Sequence, residues 1–176
     1  MTTPGQTVGP FFHDALPYPG GSDLVPPGSA GAIRLHGHVF DGAGDPVPDA
    51  LLEIWQPDPA GNVVRQGGSL RRDGWTFTGW GRAATDVTGH YSFSTLRPGG
   101  HDPFFAVTVF ARGLTNRLFT RAYLAETDSS FLAGVEPERR GTLIATPDEH
   151  GFRFDVWLQG DRETVFLSFL RHRGAD

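Results

Sequence analysis

Few residues in this chain could do chemistry, and the most suggestive local pair is His36-x-His38. In an extended strand, side chains two positions apart share a face, so both imidazoles stand near enough for one metal ion. A third and fourth ligand would have to come from elsewhere, and nothing in the spacing nominates them. Two polar residues on an outward strand face is the plainer reading and the stronger one. His13, His90, His101, His150 and His172 are scattered, and of these only His101 lies in a loop beside a long apolar strand. The tyrosines are Tyr18, Tyr91 and Tyr123. Cysteine is absent, which excludes disulfides, thiolate nucleophiles and thiolate metal sites together. No Ser–His–Asp set, phosphate-binding glycine loop or HExxH motif is present.

The elements that must position these residues read as strands. Gly81–Thr85 is an incoming strand, Asp86-Val87-Thr88-Gly89 a turn, and His90–Thr95 alternates, so the stretch predicts a β-hairpin. In that turn Asp86 has a structural job. Phe104–Ala111 is apolar at nearly every position and predicts a strand covered on both faces. Upstream, Ala32–Phe40 alternates with Ile33, Leu35 and Val39 on one face and His36 and His38 on the other. Ala50–Trp55 follows, with Glu53 its one charge in need of a partner. The run 62–78 lacks periodicity and reads as a loop with at most one short strand. Further strands are expected at Leu114–Leu124, Gly141–Ala145, Phe152–Gln159 and Glu163–Leu170, and a short helix within Thr127–Arg140 capped by Thr127 or Asp128.

Composition agrees. With 24 glycines, 14 prolines, one methionine and 12% aromatic residues, the chain suits strands and tight turns rather than a helical bundle or disorder. The fold expected is all-β, an antiparallel immunoglobulin-like sandwich of seven or so strands with little helix. Residues 1–31, rich in proline and glycine, form an extended N-terminal arm, and residues 32–176 form the sandwich. Val8, Phe11, Phe12, Leu16 and Tyr18 in the arm need cover, from the chain's own sandwich or from a second subunit. A net charge of −5 without a basic run disfavours nucleic acid. No leader pattern or long apolar run is visible, so no membrane association and a cytoplasmic location are expected.

Several stretches resemble intradiol ring-cleaving dioxygenases. They are TPGQTVGPFF (Thr3–Phe12), GHVFDGAGDPVPDALLEIWQPDPAGN (Gly37–Asn62), GRAATDVTGHYSFSTLRPG (Gly81–Gly99), FARGL (Phe110–Leu114), LFTRAYL (Leu118–Leu124) and FRFDVWLQGDRETVFLSF (Phe152–Phe169). That resemblance implies a β-sandwich enzyme that opens an aromatic ring between adjacent hydroxyls with O2, using a ferric ion held by two tyrosines and two histidines. Tyrosinate oxygens suit a hard ferric ion. Yet Val63 and His101 stand where the two tyrosines are expected, and Phe104 and Ala106 where the HxH pair is expected. The resemblance therefore implies a subunit with no catalytic or metal-binding residue of its own, in a hetero-oligomer whose beta subunit carries Fe(III). By the same resemblance Thr7, Pro10 and Arg121 line the cavity for a small aromatic acid. A guanidinium there pairs with a carboxylate in a planar fork. Against these roles, Arg121 could serve in an ordinary ion pair and the Thr7 hydroxyl in a local turn. Two other functions stay open at this point. One is a self-sufficient dioxygenase using His36, His38 and His101; the other is a non-enzymatic binding module.

Overall fold

The computed structural model describes residues 7, 9–66 and 72–169. Val8, Leu170 and His172, and residues 67–71 of the loop, lie outside them. Two sheets pack face to face. The first has the order β4 (His90–Leu96), β1 (Ala32–Phe40), β8 (Gly151–Arg153), β7 (Thr146–Asp148), with β9 (Val156–Trp157) also on β1. The second has the order β3 (Trp80–Ala84), β2 (Leu51–Trp55), β5 (Phe105–Phe110), β6 (Leu118–Ala122). The expected all-β sandwich is found. Its pairs are antiparallel except those of β1 with β8 and β9, which run parallel.

Alternation explains the core. Leu35, Val39, Tyr91 and Phe93 point inward from the first sheet and meet Leu52, Ile54, Phe105, Val107 and Val109 from the second, all buried. Each such side chain contributes about 1.5–3 kcal/mol on burial. Glu53 finds its partner on the neighbouring strand: Arg82 Nε lies 2.9 Å from Glu53 Oε1. Arg82 also donates to Leu16 O at 3.0 Å, which fastens the arm to the outer face of β3. Tyr18 stacks on Trp80, Phe12 packs on Phe110, and Leu24 enters the core. From Phe12 onward the arm thus covers its own sandwich, and its helix α1 (Phe12–Ala15) is a single turn.

Several sequence expectations need correction. The strands joined by Asp86–Gly89 do not pair. Strand β3 belongs to the second sheet and β4 to the first, so the turn is an arch between sheets. The inward residues of β3 and β4 face one another across the core, which a period-two pattern cannot distinguish from a hairpin. Strand β5 is not covered on both faces: Val107 and Val109 are buried, but Ala106 is exposed. Gly141–Leu143 is a turn of 3-10 helix rather than a strand, because Thr142 Oγ1 bonds back to Arg139 O at 2.8 Å. Residues 163–169 form no strand. Thr120 Oγ1 donates to Val165 O at 2.7 Å, and Leu167 N to Phe119 O at 2.7 Å, so the segment is tied to β6 without a ladder. The helical region splits into α2 (Ser130–Ala133) and α3 (Pro137–Arg140), and Ser129 caps α2 in place of Thr127 or Asp128.

Candidate functional site

The positions expected to hold metal ligands lie at one end of the second sheet. Gln56, fully buried just past β2, donates to Leu96 O at 2.8 Å and accepts from the Thr95 hydroxyl, so it ties the end of β2 to the end of β4. The loops beyond those ends pack closely. Gly99 N donates to Asp58 O at 2.9 Å, and a Cβ on Gly99 would lie 2.0 Å from Pro59 O. The loops carrying Val63 and His101 are therefore brought together, beside the head of β5 with Phe104 and Ala106. Val63 is 63% exposed, and His101 and Ala106 are also exposed. Only the His101 imidazole offers a lone pair, so these four residues do not fit a ferric centre. Among the described residues, no three or more ligating side chains gather where they could hold a metal ion.

What does gather here is a cluster around Arg121. In the second sheet Trp55, Ala106 and Arg121 stand in one row, since Ala106 pairs with Trp55 on β2 and with Arg121 on β6. The row faces outward, and Trp55 is 48% exposed. The Arg121 guanidinium carbon lies 4.1 Å from the Phe104 ring centre and 4.4 Å from that of Phe131. Its Nη1 donates to Tyr123 Oη at 3.1 Å and sits 3.6 Å from Asp102 Oδ2. Ser129 Oγ donates to that same Asp102 oxygen at 2.8 Å and accepts from Phe131 N at 3.2 Å. Tyr123 Oη and Ser129 Oγ are 3.3 Å apart. Because Ser129 spends its proton on Asp102, Tyr123 is the donor in that contact. No spacing in the sequence marks Asp102, Phe131 or Ser129 as members of a site. A serine two residues before an apolar pair is a cap signal, but ring-over-guanidinium contacts leave no sequence trace.

Thr7 and Pro10 lie elsewhere. Gly113 N donates to Thr7 Oγ1 at 2.7 Å, in the turn after β5, and Pro10 is exposed. Arg121 is at the opposite end of β6, beside Ala106. Strand length alone separates the two attachments by roughly 13 Å or more. Within this chain the three residues do not form one cavity. The Thr7 hydroxyl also receives a long contact from Gly9 N at 3.4 Å.

The histidines form a separate group on the outer face of the first sheet. His38 sits directly across from His90, their ring centres 5.1 Å apart, and His36 lies 5.8 Å from His90 and 6.2 Å from His150. His36 is not on an open face as expected: it is 6% exposed and its Nε2 is 3.1 Å from Asp148 Oδ1. His101 is not among them, since it follows the far end of β4, where Leu96 pairs with Ala32. The set His36, His38 and His101 is not brought together. The tyrosines do not converge either. Tyr91 is buried with its hydroxyl donated to Phe154 O, and burial, aided by the Asp155 carboxylate, pushes its phenol well above the usual range.

One pH effect follows from this group. Desolvation, then the neighbouring His38, lowers the His90 pKa below its ordinary value. The unfolded chain takes up this proton more readily than the folded one. Stability is thus fully present above the unfolded value of about 6.5 and is lost as pH falls through the folded value. The melting temperature of the wild type is expected to drop between about pH 7 and pH 5. His90→Gln should flatten part of that slope in calorimetric scans; an equally steep slope in the variant would remove His90 from the account.

Comparison with known proteins agrees with the all-β fold. A family model described as Dioxygenase matches residues 20–109. The chain is 36% identical to a protocatechuate 3,4-dioxygenase alpha chain from Burkholderia cepacia, over 94% of this chain and 96% of that one. It is 34% identical to an alpha chain of the same name from Pseudomonas putida, over 95% and 96%. A beta chain from Burkholderia cepacia is 31% identical over 88% of this chain and 74% of its own length. Among solved structures, the dioxygenase domain of a carbohydrate-binding fusion protein from Streptomyces superposes with a TM-score of 0.58 at 25% identity, covering 91% of this chain and 99% of that one. With a family model spanning half its length, and relatives that match it nearly end to end, the chain belongs to the intradiol ring-cleaving dioxygenase family.

Proposed function

We propose that this chain is the iron-free, alpha-type subunit of a heteromeric protocatechuate 3,4-dioxygenase. The complex opens the ring of protocatechuate between its hydroxyls, incorporates both atoms of O2, and releases 3-carboxy-cis,cis-muconate. The Fe(III) is carried by a beta-type partner. The observation that carries this reading is a pairing of two facts. The chain matches alpha chains over nearly its full length, and the residues at the expected ligand positions are Val63, His101, Phe104 and Ala106.

The ferric ion, in the partner, supplies the chemistry of O2 insertion. This chain contributes shape and charge. The exposed Trp55 and Ala106 beside Arg121 support docking of the outer face of the second sheet on the partner. So does Phe11 of the arm, which is 74% exposed. An obligate interface of this type buries more than about 2,000 Å². In the assembly Arg121 faces the anionic substrate, while Thr7 and Pro10 bring the arm to the cavity wall. Among the described residues no helix is long and apolar enough to cross a membrane, and a cytoplasmic location is part of the proposal.

The test is metal content and colour. Expressed alone, the chain should be colourless, free of iron and inactive on protocatechuate. Co-expressed with a beta-type chain from the same genome, it should co-purify as a coloured complex with iron in proportion to the partner. Stoichiometric iron in the single chain would sink the assignment, and so would failure to form a complex.

A further inference from the structure

The Arg121 guanidinium is more constrained than an arginine on a half-open strand face needs to be. Two rings lie against it, Phe104 at 4.1 Å and Phe131 at 4.4 Å. One nitrogen, Nη1, is engaged by Tyr123 and Asp102. Among the described residues Nε and Nη2 make no hydrogen bond, and the side chain is 26% exposed. Guanidinium binds a carboxylate through two parallel N–H donors on one edge. Here the edge near Asp102 is occupied and the Nε–Nη2 edge is left over.

The parts of the clamp support one another. Ser129 caps α2, which carries Phe131, and the same Ser129 hydroxyl holds Asp102. Thr127 Oγ1 contacts the other oxygen of Asp102 at 3.3 Å. Phe104 is fixed from behind by Tyr123, with ring centres 5.6 Å apart. The loop before β5 and the loop after β6 are thereby closed on the arginine from both sides. Arginine has many rotamers, and immobilising it at the moment of binding weakens any contact it makes. A clamp that fixes it beforehand removes that loss.

We propose that Phe104 and Phe131 are positioning residues for Arg121, holding its Nε–Nη2 edge ready for the carboxylate of the aromatic substrate. This rests on the assignment of Arg121 to the substrate cavity made above. Phe104 then has a definite job at a position with no capacity for a metal: it is one wall of an anion receptor.

The test uses the co-expressed, iron-loaded complex with two substrates, a catechol bearing a ring carboxylate and catechol itself. Phe104→Leu and Phe131→Leu should each raise KM for the carboxylated substrate roughly tenfold, with kcat within about twofold. KM for catechol should not move. Phe131→Tyr, which keeps a ring, should behave as the wild type, and Phe131→Leu should add nothing on an Arg121→Ala background. Phe131→Met serves if a leucine variant does not assemble. The clamp is overturned if the leucine variants leave KM unchanged while Arg121→Ala raises it. Equal effects on both substrates, or effects additive with Arg121→Ala, would also overturn it. An assembled, iron-loaded Arg121→Ala complex with unchanged KM would instead remove Arg121 from the cavity, which is a distinct failure.

Discussion

Gly37→Ala is expected to lower stability by about 3 kcal/mol or more, read as a urea midpoint shifted down by about 1 M or more with little change in slope. Gly37 lies within β1, and a Cβ there would sit 2.1 Å from Phe154 O and 2.6 Å from Phe154 C. The obstacle is backbone, so no rotamer can relieve it. Nor can the Phe154 backbone withdraw cheaply. Its N–H donates to His36 O at 2.7 Å, and its carbonyl accepts the buried Tyr91 hydroxyl. Moving it would break both bonds and pull β9 from β1. Gly141→Ala is the control, because a Cβ at that position meets nothing within 4 Å. Its midpoint should stay put or rise slightly. A Gly37→Ala variant as stable as wild type would mean that the parallel pairing of β1 is not made as described.

The second large effect separates two adjacent phenylalanines. Phe105→Ala should cost about 3–5 kcal/mol, enough to unfold a marginal domain. Phe105 is fully buried in the main core between the sheets. Phe104 points the other way into the smaller cluster around Tyr123, Leu132 and Leu143 and is only half-buried. Phe104→Leu should therefore cost little by thermal melting. Its effect belongs to substrate affinity, as argued for the clamp. If both substitutions cost the same in denaturant titrations, the division of labour at the head of β5 is wrong.

How far the sequence reached follows from what kind of signal each feature leaves. The alternation of β1 and β4, the charge of Glu53 and the turn chemistry of Asp86 are local, and each was readable. Asp86 Oδ1 accepts from Thr88 N at 2.8 Å and from His90 N at 3.1 Å, the turn role expected of it. Sheet membership is not local. Strands β3 and β4 obey the same period whether they pair or face one another, so the residue pattern predicts a hairpin where the chain makes an arch. The segment 163–169, tied down by threonine hydroxyls, is strand-like in composition yet forms no ladder. At the candidate site, the absence of lone pairs at Val63, Phe104 and Ala106 was visible in the residue types. The clamp on Arg121 was not. It joins residues from three separate stretches, through ring faces that have no spacing rule.

Strand β1 carries one more consequence. Its antiparallel neighbour β4 follows soon after it, but His38 N donates to Asp155 Oδ1, a residue 117 positions later. On a ribosome adding about 5–20 residues per second, that side of β1 waits on the order of ten seconds for its mate. Throughout the wait the nascent chain shows an unpaired strand edge, the very surface on which stray polypeptides template themselves. A transcript cut short before residue 151 leaves that edge permanently bare, because the strands that cover it, β8 and β9, lie between Gly151 and Trp157.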